Sequence, residues 1–202
     1  MGRLPIDVRE ARPDDASELI DLWRRCVSEA RAGEPHHGVL DRPPPTPEEA
    51  AEALRYGAAC HDRSLYVATC GGRVAGALHL SVAQVSPIHV ERTPVVSDLL
   101  VHPDFRRRGV ASALLATVAE VADDVDSEMV FAWAPSASRD AHRFLTRLGF
   151  GQYATVRAAR VRVLAARSAI RTTSSKGAGR LIAVRRSLRR TLTEPVGRAR
   201  SD

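Results

Sequence analysis

The chain has 202 residues, 44% of them hydrophobic and 27% charged, with a formal net charge of +6. That length and balance fit one globular domain with its own core plus a short appendage, and they exclude a collagen-like, disordered or disulfide-framework chain. No apolar run approaches the ~18 residues of a membrane span, the start "MGRLPIDV" has no signal-peptide core, and position 6 lacks the Ser or Thr of a myristoylation signal, so a cytoplasmic protein is expected.

The charge is unevenly spread. Residues 1–156 carry a net −5 and residues 157–202 a net +11, so the basic character belongs to the C-terminal end. An acidic body attracts cations rather than nucleic acid. Cys26, Cys60 and Cys70 are an odd, scattered set, expected to be reduced and mostly buried.

"IDVREA" alternates apolar and polar residues as a short strand does. "RPDDASELIDLWRRC" follows as a helix, with Asp14 or Asp15 to cap it and Leu19, Leu22, Trp23 and Cys26 at helical spacing. "RAGEPHHGVLDRPPPTP" is an irregular loop rich in Gly and Pro. Its pair His36-His37 can touch a substrate, but no Cys or carboxylate stands at zinc-ligand spacing, and no metal is expected. Thr46 and Glu49 have capping-box spacing, with Pro47 at the first helical position, so a second helix starts there.

"SLYVATC" and "RVAGALHLSV" are β-like runs joined by Gly71-Gly72, a hairpin signal. "TPVVSDLLV" is a third apolar strand, and "HPDFRRR" connects it to the helix "GVASALLATVAEVAD", striped by Val110, Leu114, Val118 and Val121. "EMVFAWA" reads as a strand and "SASRDAHRFLTRLGF" as a helix stopped by Gly149. Trp23 and Trp133 fall on apolar stripes and are expected in the core. "YATVRAARVRVL" reads as a final extended stretch, broken near Ala158-Ala159 where its alternation changes phase. In the tail, "RTTSSKGAGR" reads as a linker, and residues 180–193 space Leu181, Val184, Leu188 and Leu192 as an amphipathic helix would. The element order β-α-α-β-β-β-α-β-α-β implies α/β layering around one sheet.

The segment "RRRGVA", residues 106–111, stands between a strand and an apolar helix. The first turn of a helix offers unpaired N–H groups and the positive end of the dipole, and Gly109 leaves room for a phosphate to approach the backbone. An anion cradle and a charged helix start lying in solvent both satisfy these residues taken alone.

"LLVHPDFRRRGVASALL" resembles the acetyl-CoA signature of the GNAT superfamily of N-acyltransferases, Gln/Arg-x-x-Gly-x-Gly/Ala after a strand, which falls on Arg106, Gly109 and Ala111. "SASRDAHRFLTRLGF" is similar to the family's second motif, matching at Ala141, Phe144, Gly149 and Phe150, and "VREARPDDASEL" to its first strand and helix, so the likeness covers about residues 4–164. It implies a mixed, mostly antiparallel central sheet flanked by helices, with splayed strands that hold CoA. The pantetheine arm would bond to backbone at Leu99, Leu100 and Val101. The N–H groups of Arg107, Arg108, Gly109, Val110 and Ala111 would hold the pyrophosphate, with Arg106 at the rim. Ser138 would touch CoA where the family often has Asn, and an amine would enter near residues 14–60. The residue after Phe144 is often a Tyr that protonates the leaving thiolate; here it is Leu145. Tyr153 is a weak substitute, more readily a sheet-packing residue.

The reaction implied is transfer of acetyl from acetyl-CoA, as cosubstrate, to a primary amine by direct attack in a ternary complex. A carboxylate on the "SDLLV" strand suits the base, which makes Asp98 the first candidate, with Glu91 and His89 behind it. His102 reads as a cap of the "HPD" turn. Two other readings stand beside this one: a catalytically degenerate CoA-binding or regulatory member of the fold, fed by Leu145 and Ser138, and a chain tethered through its basic tail to nucleic acid or an anionic membrane. Domain limits are expected at 1–164 and 165–202, and a homodimer is one assembly such a chain forms.

Overall fold

A computed structural model describes residues 5–31, 43–136 and 138–172. His36-His37 and the 180–193 segment lie outside the described residues. The chain divides into two compact units, residues 1–152 and 153–202.

In the first unit the elements are β1 (Ile6–Glu10), α1 (Ala16–Arg31), α2 (Pro47–Ala58), β2 (Arg63–Cys70), β3 (Arg73–Ala83), β4 (Thr93–Val101), α3 (Val110–Asp124), β5 (Phe131–Ala132) and α4 (Arg139–Arg147). The five strands pair in sequence order, antiparallel throughout except for the parallel pair β4/β5. The expected mixed, mostly antiparallel sheet is therefore present. Gly71 and Gly72 turn the β2–β3 hairpin at φ 61° and 78°, where a side chain would be strained.

Each face of the sheet carries its own core. On one, Ala68, Leu78, Leu80 and Val96 pack against Val110, Leu114 and Val118 of α3. On the other, Val67, Val74 and Ala77 pack against Leu22 of α1, with Leu19, Cys26 and Leu100 at the margin. The alternation of β3 and β4 sorts their side chains between these faces. Gly76 lets α3 sit close: a Cβ there would lie 2.7 Å from Val110 Cγ1 and 2.8 Å from the Leu100 carbonyl.

Three polar devices lock the frame. Arg9 on β1 forms a two-pronged ion pair with Asp15, 2.8 Å at each prong, and Asp15 also accepts from the Arg12 N–H at 2.7 Å. The same bonds hold the Asp15 carboxyl below the usual aspartate range. Glu18 of α1 accepts from the Val74 N–H at 2.8 Å, fixing the helix to the sheet. Thr46 and Glu49 form the capping box of α2, with Pro47 at its first position, as the sequence implies.

Four expectations are corrected. The strand expected in "EMVFAWA" is reduced to two residues. The final extended stretch is absent: residues 151–160 have no regular structure and α5 (Val161–Thr172) follows as a helix in the second unit. A helix satisfies its backbone hydrogen bonds internally, without a neighbouring strand. Trp133 is 54% exposed and Tyr153 74%, so neither is a packing residue. The cysteines are free; Cys70 is buried, while Cys26 and Cys60 are half-buried.

Candidate active site

The site begins at an irregularity in the β3/β4 ladder. His79 stands opposite Asp98 and Leu80 opposite Val96, so Ser97 is an extra residue, a β-bulge. Val96 and Leu99 pack toward α3, whereas Leu100 packs toward α1. The bulge thus places two successive polar residues, Ser97 and Asp98, on the α1 side, where a regular strand would show one. His79 shares that side, and its Nδ1 lies 2.6 Å from Ser97 Oγ. One of the two groups donates there, depending on the imidazole tautomer.

Asp98 is exposed, yet burial of its surroundings raises its pKa above the ordinary carboxylate value, and His79 opposes the rise more weakly. The sheet opens beside Asp98. β5 pairs with β4 at Val95 and Val96, and the Trp133 N–H donates to the Val96 carbonyl at 2.8 Å. Among the described residues no strand pairs with that edge of β4 from Ser97 to Val101. Val130 and Ala132 pack on the α3 side. Cys26 of α1 donates its thiol hydrogen to the Val101 carbonyl at 3.6 Å.

Beyond Val101 the chain turns through a short 3-10 helix, Pro103–Phe105. His102 is buried and its Nδ1 accepts from the Asp104 N–H at 3.2 Å, so it caps this turn as its sequence context implies. The His102 N–H donates to the Ala75 carbonyl at 2.9 Å, continuing the β3/β4 register one residue past the strand. The turn leads into a loop with two left-handed residues, Arg107 at φ 60° and Gly109 at φ 94°. Alternating left-handed and right-handed residues direct successive N–H groups to one point, an arrangement that binds anions. No side chain caps α3, whereas Thr46 caps α2 and Ser138 caps α4. Its first N–H groups are thus open to a ligand. Arg106, Arg107 and Arg108 are exposed, and the guanidinium groups of Arg108 and Arg73 lie 5.4 and 5.9 Å from the centroid of Phe105. Ala111 keeps the next turn small.

The structure brings Asp98, the 99–101 backbone and the 106–111 loop to the end of one strand. The Ser138 hydroxyl accepts from the Ala141 N–H at 3.3 Å. Leu145 is half-buried on α4, with its carbonyl accepting from the Leu148 and Phe150 N–H groups. His89 and Glu91 lie on the exposed β3–β4 connection, His89 Nδ1 being 2.7 Å from Ser86 Oγ. Sequence reasoning missed His79 and Ser97. The available signal was polarity out of place, a His within "RVAGALHLSV" and an adjacent polar pair within "VVSDLLV".

An open mixed sheet, a strand bulge at the opening and an uncapped helix start at the strand's end define the acyltransferase architecture. A sequence model of the acetyltransferase (GNAT) family matches residues 23–150, and the chain belongs to that family. No curated protein matches it by sequence. Its fold is similar to a transcriptional regulator from Bacillus halodurans C-125, at TM-score 0.64 and 18% identity over 77% of this chain and 99% of that one. It is also similar to the PaiA N-acetyltransferase of Thermoplasma acidophilum, solved with coenzyme A, at TM-score 0.63 and 14% identity over 76% and 94% of the two chains. A third is the ribosomal-protein-alanine N-acetyltransferase of Brucella melitensis biovar Abortus, at TM-score 0.59 and 16% identity over 77% and 99%. No helix among the described residues is long and apolar enough to cross a membrane.

Proposed function

We propose that the protein transfers an acetyl group from acetyl-CoA to a primary amine. The observation that carries this reading is the pairing at the two ends of one strand segment: the Asp98 carboxylate beside the bulge, and the loop with left-handed Arg107 and Gly109 that opens α3 without a side-chain cap. When bound, acetyl-CoA supplies the thioester that the amine attacks. The N–H groups of Arg107, Arg108, Gly109, Val110 and Ala111 hold its pyrophosphate, with Arg106 adding positive potential at the rim. The unpaired edge of β4 at Leu99, Leu100 and Val101 offers backbone donors and acceptors to the pantetheine arm, and Ser138 lies on the helix facing that arm in the family pattern.

Asp98 accepts the proton that an ammonium sheds before attack. A raised carboxyl pKa brings the base nearer the working pH, which favours the transfer. No Tyr follows Phe144, so the departing thiolate leaves without that acid; a thiol with an ordinary pKa near ~8.5 is a tolerable leaving group at neutral pH. Positioning and backbone N–H groups then carry the rate. The acidic body, net −5 over residues 1–156, favours a cationic acceptor.

The test is thiol release from acetyl-CoA across a panel of primary amines, with a thermal melt in parallel. CoA at about 100 times its dissociation constant raises stability by ~2.7 kcal/mol. Gly109→Glu puts a carboxylate in the cradle and a side chain at φ 94°, so each protein is compared with its own ligand-free melt. An equal CoA-induced rise in wild type and variant overturns the cradle. A rise in wild type without thiol release from any amine replaces transfer with the reading of a CoA-binding, catalytically silent member.

A further inference from the structure

The acetyl-transfer reading uses Asp98 but leaves unexplained why a histidine in an apolar strand stands opposite it in the ladder. His79 is held at Nδ1 by Ser97, 2.6 Å away, and Ser97 is the residue the bulge adds. Without the bulge, one of Ser97 and Asp98 would face α3. The irregularity therefore assembles three polar side chains on one face, in the middle of a strand pair whose neighbouring residues Ala77, Leu78, Leu80, Val95, Val96, Leu99 and Leu100 are apolar.

We propose that His79 is the positioning residue of this site: anchored by Ser97, its imidazole stands opposite Asp98 and, once protonated, holds that carboxylate in its charged form. The hydroxyl of Ser97 suits both states of the ring, donating to a bare Nδ1 or accepting from Nδ1–H. Among the described residues, several other titratable groups on this side have partners of their own. Glu18 of α1 is bonded to the Val74 N–H, Cys26 of α1 to the Val101 carbonyl, and Arg63 of β2 is 3.6 Å from Asp62. The β2 residue opposite His79 is Leu65, which carries no charge. Helix α2, packed on β2, commits Glu49 to its own capping box and holds Arg55 and Tyr56 exposed. Asp98 is the carboxylate directly across the ladder.

The role rests on the acetyl-transfer reading, but the pairing is measurable without substrate. Carboxyl carbon NMR of the unliganded, full-length protein follows the Asp98 titration, assigned by its loss in Asp98→Asn. In His79→Gln the Asp98 midpoint moves up by about half a pH unit, the scale of one charge a few ångströms away in a watery site. Ser97→Ala, which frees the ring without removing it, moves it in the same direction by less. In kcat/KM against pH, His79→Gln shifts the acidic limb upward and leaves the alkaline plateau within about threefold of wild type. An Asp98 midpoint that stays put in both variants overturns the proposal, as does a uniform loss of rate at every pH. Failure of the acetyl-transfer reading shows separately, as wild-type protein that releases no thiol from acetyl-CoA.

Discussion

At Asp98 the requirements of folding and of chemistry pull in opposite directions. A carboxyl whose pKa is raised in the folded chain holds its proton longer there than in the unfolded chain. Stability is lost as pH climbs through the ordinary aspartate range to the folded-state value, and the deficit persists at neutral pH. Asp98→Asn therefore raises Tm at pH 7.5, by roughly one to two degrees for so exposed a group, and the gain fades toward pH 3. The same change lowers the acetylation rate by about 10²-fold, most steeply at the acid side of the profile. A pH series of melts beside a pH series of rates checks both signs; stabilisation coupled to lost activity marks a group kept for function. Asp15 shows the contrary case. Its carboxyl is held ionised by Arg9, so its contribution is present above the unfolded-state value and disappears as pH falls below about 3.9.

Among the elements, the approach of α3 to the sheet sets the cradle. Gly76 has no strained φ; it is small because Val110 and the Leu100 carbonyl occupy the space a methyl would need. Gly76→Ala pushes the first turn of α3 outward and costs about 1–3 kcal/mol. It also weakens CoA more than its stability loss implies, since the displaced turn carries the anion-binding N–H groups. Urea unfolding with and without CoA measures the two effects apart. The β1–α1 junction depends on Arg9 and Asp15. Asp15→Ala leaves Arg9 without its partner and costs about 2 kcal/mol, less than a fully buried pair because Arg9 retains 29% of its side-chain surface in water. The deficit relative to wild type shrinks as pH drops toward 3, which a melt series at pH 7, 5 and 3 reads directly.

For the whole molecule, the distribution of burial decides what is dispensable. Among the described residues none beyond Ala122 is buried, and the first compact unit ends at Gln152. A chain ending at residue 164, the limit we assign to the acetyltransferase domain, accordingly folds and keeps the CoA-induced rise in Tm of the full chain. A truncated chain that fails to fold would place the boundary further on. The +11 charge of residues 157–202 predicts that most binding to RNA or anionic vesicles is lost on truncation and that what the full chain shows falls steeply between 50 and 200 mM salt. Full-length protein that ignores both at low salt removes the tether reading.

The amino-acid sequence alone determined the features that depend on neighbours in the chain. Caps at Thr46 and His102, the Gly71-Gly72 hairpin, the stripe on α3 and the glycine-gated helix start at 106–111 follow from backbone and side-chain preferences acting over a few residues. Order of elements as far as α4 and family likeness follow from the same local signals. Tertiary structure decided what depends on pairing between distant segments. Whether 153–164 forms a strand depends on pairing with a distant segment, and alternation along the stretch carries no information about that. Trp133 looked like core because its stripe is apolar, yet burial needs a covering element. The bulge at Ser97 is a mismatch between two strands, invisible in either alone, and it is what sets His79, Ser97 and Asp98 side by side.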